Sequence, residues 1–308
     1  MKTKYILLAF VCLYIFSCDK DEGEIIVSNS ELQEYLLKYY DENRDGILSI
    51  SEAFKVYRIY FYNPKEPIDG LENFPNLQEL YVASISVFTA KLASLDLSKN
   101  HKLSSLDCSY NKLKTLDLSN STELSGLSCN FGEIEDIKLG DKPQLQGIDC
   151  GVNKLTSLDL SGCSYLEVLG CSQNLLTEID VSNNLNIYSF YCSDNLLESV
   201  DVSKNLKLRF FGCHNNRLLT RIDVSKNAQL ESLSCYNTDI TILDVSNNPK
   251  LRSMDCRNTN LATLDVSNNR SLTFLKCDSN ACLTTLYLKT GQTIQNLYKD
   301  DHTEIVYK

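Results

Sequence analysis

Nine cysteines constrain this chain more than any other feature: Cys108, Cys129, Cys150, Cys171, Cys192, Cys213, Cys235, Cys256 and Cys277 recur every 21 residues, with a single step of 22 before Cys235. A fixed period of that length signals a solenoid, in which each unit buries its apolar side only against its neighbours. Such a chain presents one repeated surface. Ligand choice then falls to the residues that vary from coil to coil.

The first full unit, residues 103–123, reads LSSLDCSYNKLKTLDLSNSTE. Its first position is Leu or Ile in all nine copies, and its fourth is apolar throughout, from Leu106 and Leu127 to Met254 and Leu275. Around that fourth residue and the cysteine, apolar and polar residues alternate, which is the period-2 pattern of a strand with one buried face. Asn occupies the ninth position in six of nine copies: Asn111, Asn153, Asn174, Asn195, Asn216 and Asn280. Asn suits a tight turn, and its amide can satisfy backbone groups of its own coil and the next.

The stretch L-x-x-L-x-C-x-x-N-x-L resembles the conserved segment of leucine-rich repeats, with Cys where Leu often stands, and IDVSNN (179–184) resembles the second half of short bacterial variants. The resemblance covers about three quarters of the chain. It implies a leucine-rich repeat solenoid with short parallel strands on a concave face and extended or turn segments on the convex face. Two further coils begin at Val56 and Leu77, so about eleven coils of ~21 residues make a rod on the order of 50 Å long. The solenoid is expected over 57–293, and 294–308 breaks the pattern and reads as a C-terminal cap. Thr238 and Thr259 replace the turn Asn, and EIEDIKLG (133–140) lacks the L-D-x-S signature, which affects local turns rather than the fold.

The cysteines carry no C-x-x-C pair. Stacked side chains in register lie parallel, whereas a disulfide needs converging Cβ vectors. A column of small buried hydrophobes is therefore expected, with Cys163 and Cys282 off the ladder. The repeated Asp117, Asp159, Asp180, Asp201, Asp223, Asp244 and Asp265 each precede a Ser by two residues and read as turn formers that bond their own backbone.

At the N-terminus, two lysines precede an apolar run from Tyr5 to Phe16, too short to span a bilayer but suited to a signal-peptide core. Residues 1–17 are thus expected as a leader, and IFSC resembles a lipobox with Cys18 as the lipidated residue. An acidic tether, 18–27, follows, and its DKDEGE run resembles the surface-export signal of some outer-membrane lipoproteins. This implies an outer-membrane lipoprotein, surface-exposed and touching the membrane only through its lipid. The formal charge of −10 becomes about −12 once Lys2 and Lys4 leave with the leader, which argues against nucleic acid and anionic membrane as partners.

One motif carries chemistry. Residues 41–52, DENRDGILSISE, match the calcium-binding EF-hand loop at every diagnostic position. Asp41, Asn43 and Asp45 supply side-chain oxygens, Ile47 its carbonyl, Ser49 a direct or water-mediated oxygen and Glu52 a bidentate carboxylate, with Gly46 at the sharp turn. Ser30 can cap an entering helix with Leu32, Tyr35, Leu36 and Tyr39 on one face, and 50–57 forms a short exiting helix. A helical cap is expected over 28–56, with a Ca²⁺ ion expected to pin it to the first coil.

The third, fifth and seventh positions of the unit face outward. They are small or acidic in the earlier coils (Ser105, Asp107, Gly126, Ser128, Gly147, Asp149) and larger later. The larger set is Tyr191, Phe210, His214, Tyr236, Arg257, Phe274 and Lys276, and exposed aromatics mixed with Arg are the makings of a binding hot spot. The expected function is recognition or adhesion by a monomer through the concave face, on a protein or glycan partner, a plan that internalin-like adhesins share. A structural envelope spacer is the alternative and predicts no localised aromatic patch. No catalytic residues are assigned: of His101, His214 and His302 only His214 falls on a strand face, and Ser193 and Tyr236 beside it make no nucleophile arrangement.

Overall fold

The computed structural model describes residues 23–65, 67–86, 88 and 92–308. The expected leader and Cys18 lie outside them. Twelve strands of three residues each, from Arg58–Tyr60 to Asn296–Tyr298, form one parallel sheet whose order follows the chain. Because each unit has nearly the same length, neighbouring strands pair in register. Leu106, Leu127, Ile148, Leu169, Phe190, Phe211, Leu233, Met254 and Leu275 therefore stack as one buried row. The Phe190 and Phe211 rings lie 5.6 Å apart within it.

The sheet has twelve strands rather than the eleven expected. Asn296 pairs with Phe274 and Leu297 with Leu275, and Glu304–Tyr307 pairs with Thr285–Leu288 on the convex side, so 294–308 continues the coil geometry. The tail conceals its register because polar residues replace the cysteine and turn Asn. On the convex side, Thr115–Asp117 pairs with Asp136–Lys138 although the latter lacks the L-D-x-S signature, because Ile137 takes the place of Leu.

All nine ladder cysteines are free and buried. Burial pushes their thiols up, to about 12 for Cys171, Cys213 and Cys277. The ninth-position asparagines act as the sequence suggests. Asn174 Nδ2 donates to the carbonyls of Cys150 in the preceding coil and Cys171 in its own, and its Oδ1 accepts the Leu155 amide. Thr238 and Thr259 each keep one of these bonds, to Cys235 and Cys256. Each convex Asp accepts the amide of the Ser two residues on, as at Asp159 and Asp180.

Two columns escape sequence reading. The residue before each turn Asn is left-handed: Tyr110, Phe131, Val152, Gln173, Asp194, Asn215, Asn237, Asn258 and Ser279 have φ between 49° and 58°. A second buried asparagine column runs through Asn184, Asn205, Asn227, Asn248 and Asn269, each donating to two carbonyls of the preceding coil. Cys163 stands one coil before Asn184 in this column, and Lys142 one coil before Cys163.

At the N-terminal end, helix α1 (Ser30–Tyr40) is capped by Asn29, whose side chain accepts the Leu32 amide, and not by Ser30, which is already helical. Leu32 and Leu36 are buried, whereas Tyr39 of the same expected face is 60% exposed. Helix α2 is only Ile50–Ala53, shorter than the 50–57 expected. The cap meets the first coil through Tyr60 N to Tyr35 Oη (3.1 Å) and Asn76 Nδ2 to the Phe54 carbonyl (2.7 Å).

Candidate functional site

The 41–52 loop joins the two helices and is wound on its own backbone. Asp41 accepts the amides of Arg44 and Gly46, Asn43 that of Asp45, and Asp45 that of Ile47. Arg44 and Gly46 are both left-handed (φ 61° and 84°), which makes the sharp turn. Glu52 is nearly buried and closes the loop: its carboxylate accepts the amides of Glu42 and Ser49 and the Ser49 hydroxyl. Burial works to raise the Glu52 carboxyl, but the bonds from Ser49 and from the 42 and 43 amides outweigh it and hold it below its ordinary value. Ser49 and Glu52 thus form a capping box for α2. Among the described residues no three His, Cys, Asp or Glu side chains gather around one point. Leu48 is buried, and its carbonyl accepts the Ile25 amide at 2.7 Å, so the segment before α1 runs along this loop.

On the concave sheet, the seven large side chains singled out from the sequence fall into separate groups. His214 and Tyr236 stack with centroids 4.2 Å apart, and the Arg257 guanidinium lies 5.4 Å from the Tyr236 ring. Asp255 holds Arg257 from the same strand with a bond of 2.8 Å. Nearer the C-terminus, the Lys276 ammonium lies between the rings of Phe274 (5.2 Å) and Tyr298 (5.5 Å). Tyr298 was hidden by the expected cap; the 22-residue step from Phe274 to Asn296 was its only signal. Phe210 is half-buried beneath Arg209, and Tyr191 is 44% exposed with its ring over Gly212, where a Cβ would meet it at 2.9 Å.

A side-chain ladder borders the His214 stack. Asn258 donates to Asn237, Asn237 to Asn215 and Asn215 to Asp194, each at 2.7 Å. All four sit in the left-handed column, which holds their side chains parallel. His214 Nδ1 lies 2.8 Å from Ser193 Oγ and 3.2 Å from Ser234 Oγ, while Nε2 lies 3.7 Å from Asp194. Burial lowers the His214 pKa, against the pull of Asp194 and Asp255. The contact set therefore contains Ser, His and Asp, closer together than the sequence suggested. Ser193 is only 2% exposed, however, so a substrate cannot reach its hydroxyl. This geometry orients an imidazole for stacking.

No protein-family model matches the chain, and a comparison with curated proteins finds no match. Among solved structures, the chain is similar to the functional domain of InlJ from Listeria monocytogenes, which includes a cysteine ladder, with 23% identity over 92% of this chain and 73% of that one and a TM-score of 0.65. It is also similar to the internalin inlF of the same species, with 20% identity over 90% and 94% of the two chains and a TM-score of 0.69. A leucine-rich repeat protein of Leptospira interrogans matches with 20% identity over 77% of this chain and 74% of that one, at a TM-score of 0.54. These likenesses show the fold, a leucine-rich repeat solenoid. No helix among the described residues is long and apolar enough to cross a membrane.

Proposed function

We propose that this chain is a lipid-anchored surface protein that recognises a protein or glycan partner with its concave sheet and holds one structural calcium ion in its N-terminal cap. One observation carries the reading: the half-buried groups His214–Tyr236–Arg257 and Phe274–Lys276, with the exposed Tyr298, stand on a sheet whose coils from Ser105 to Asp149 present only small or acidic residues. Aromatic rings with paired cations give large contact area at low entropic cost, which is what a hot spot requires. A spacer needs no such grouping. The hydroxyl nearest His214, that of Ser193, is buried, which favours recognition over hydrolysis. The surface location rests on the leader and the IFSC sequence.

The calcium reading rests on the donor set. Asp41, Asn43, Asp45, the Ile47 carbonyl, Ser49 and Glu52 are all oxygen donors on a loop already turned at Arg44 and Gly46. The Asp41 oxygens and Asp45 Oδ1, which each accept one loop amide, keep a second lone pair for a cation, whereas Glu52 Oε2 accepts both the Ser49 amide and its hydroxyl. An ion there would draw the three carboxylates together and fasten α1 to α2.

The test is a panel of extracellular proteins and an array of glycans probed with residues 19–308. Tyr236→Ala with Arg257→Ala should weaken binding of a partner so identified by about tenfold or more while thermal stability holds. Unchanged affinity would remove the recognition site from this part of the sheet.

A further inference from the structure

The earlier coils of the concave sheet form a trough of about 350 Å³. Ser105, Gly126 and Gly147 floor it, Tyr81 and Val168 stand at its two ends, and Asp107 and Asp149 line one side. Glycine inside a strand weakens it and is ordinarily explained by a turn or a close neighbour. Neither applies here: a Cβ at Gly126 or Gly147 would meet nothing within 4 Å, and neither residue has positive φ. What these glycines provide is space on the sheet.

The charge of the trough is one-sided. Asp107 accepts only the Ser109 amide, through Oδ1, and Asp149 accepts the Gly151 amide and the Asn130 side chain. Among the described residues neither carboxylate joins an ion pair; Arg58 is taken by Glu79, and Lys114 and Lys154 by Glu133. The strands of Asp107 and Asp149 are separated by one other, in register, which places the two carboxylates about 10 Å apart along the rod. An extended chain in the polyproline II conformation repeats its face every three residues, about 9 Å.

The geometry points to a second recognition site in this trough, for an extended basic peptide segment of a partner protein, with Lys or Arg three residues apart over Asp107 and Asp149 and the backbone between them lying on Gly126 and Gly147. This inference rests on reading the concave sheet as the recognition face. It is separate from the His214–Tyr236–Arg257 group. A sugar ring would also fit the space, but two unpaired carboxylates with no facing cation favour a cationic ligand.

The probe is a fluorescent peptide of three Lys-Pro-Pro repeats, measured by fluorescence polarisation against the wild-type protein and two double variants. Asp107→Asn with Asp149→Asn keeps the turn bonds and removes the charge; Gly126→Phe with Gly147→Phe fills the space. The peptide should bind the wild type and lose affinity about tenfold or more with either pair, and its Glu-Pro-Pro counterpart should not bind. Melting curves confirm that each variant is folded, and the Asn pair stands alone if the Phe pair is not. Three results would overturn the inference: no binding to the wild type, binding indifferent to the Asn pair, or a neutral chitin hexasaccharide that binds and is lost only with the Phe pair. A partner that depends on Tyr236 and Arg257 but ignores both trough pairs would sink the trough and leave the recognition reading intact.

Discussion

The ammonium Nζ of Lys142 lies 2.6 Å from the carbonyl oxygen of Leu139, three residues back in its own coil. The corresponding carbonyl in later coils is capped from the next coil: Asn184 caps Leu160, Asn205 caps Val181 and Asn227 caps Val202. For Leu139 the residue in that place is Cys163, which has no comparable donor. Lys142 is fully buried and supplies the missing bond from within. Burial lowers the pKa of its ammonium, so the column spends some desolvation free energy to satisfy a carbonyl.

Lys142→Ala should therefore destabilise the solenoid by about 1–3 kcal/mol, the cost of an uncapped buried carbonyl. Adding Cys163→Asn to that variant should restore most of the loss, because an amide at 163 reaches the same acceptor. Urea unfolding of the wild type, both single variants and the double variant decides it. Additive losses would show that the two positions are not coupled.

Thiol reactivity should separate the cysteines sharply. Of eleven described cysteines, ten are buried and Cys282 is exposed. The thiolate is the reactive form, and burial holds Cys171 and Cys213 at about 12. Titration of residues 19–308 with a disulfide reagent should count one fast thiol in the native state and the others only in denaturant. A second fast thiol under native conditions would contradict a closed core.

Val152 has φ 55°, the left-handed geometry that Asn215, Asn237 and Asn258 adopt at the same place in their coils. A β-branched side chain is strained there, and Asn tolerates it. Val152→Asn should raise stability by about 1 kcal/mol, seen as a melting temperature a few degrees higher. A fall would mean that Val152 contributes more by packing than it costs by strain.

This column also shows where the sequence was legible and where it was not. The row of fourth residues, the cysteine ladder and the Asn of the ninth position repeat by type, so composition at a fixed period revealed both the strand and the turn. The left-handed position is held by Tyr, Phe, Val, Gln, Asp, Asn and Ser in different coils, so geometry repeats where residue type does not. The second asparagine column was visible as letters, but its role depends on carbonyls 21 and 24 residues earlier, which only stacking brings near. The seven large concave residues lie at positions that alternate with the buried row, and their grouping depends on side-chain direction. Register alone could not show that Tyr191 leans over Gly212 while His214 turns onto Tyr236.

The His214 pKa is lowered mainly by burial, so the folded state favours neutral imidazole more than the unfolded chain does. That preference stabilises the protein fully above the unfolded value, about 6.5, and is lost as pH falls through it. Asp159, Asp180, Asp201 and Asp223, each lowered by hydrogen bonds from the following Ser, lose their contribution only below the ordinary carboxylate range. Melting temperature should thus begin to drop as pH falls below about 6.5 in the wild type and drop less in His214→Gln. Identical curves throughout would remove His214 as the source.

The proposed calcium loop lies at the opposite end of the solenoid. Glu52 reaches back ten residues to the Glu42 amide and is shared with Ser49, so one carboxylate already closes the loop and caps α2. A cation among Asp41, Asn43, Asp45 and Glu52 would add a charge-compensated link between α1 and α2. Because that link exists only in the folded cap, binding should raise stability by mass action, in proportion to the logarithm of free calcium above the dissociation constant. A lone loop of this kind binds weakly, on the order of 10⁻⁴ to 10⁻³ M, so the shift should emerge only at millimolar calcium. Melting of residues 19–308 with calcium or with EGTA should show it, and Glu52→Gln should abolish the calcium-dependent part. Gln keeps an acceptor for the Glu42 amide, so a large loss already present in EGTA would assign Glu52 to the capping box alone. If the wild type showed no calcium shift, the cap would be held by the Asn29 and Ser49 caps and by its contacts to the first coil.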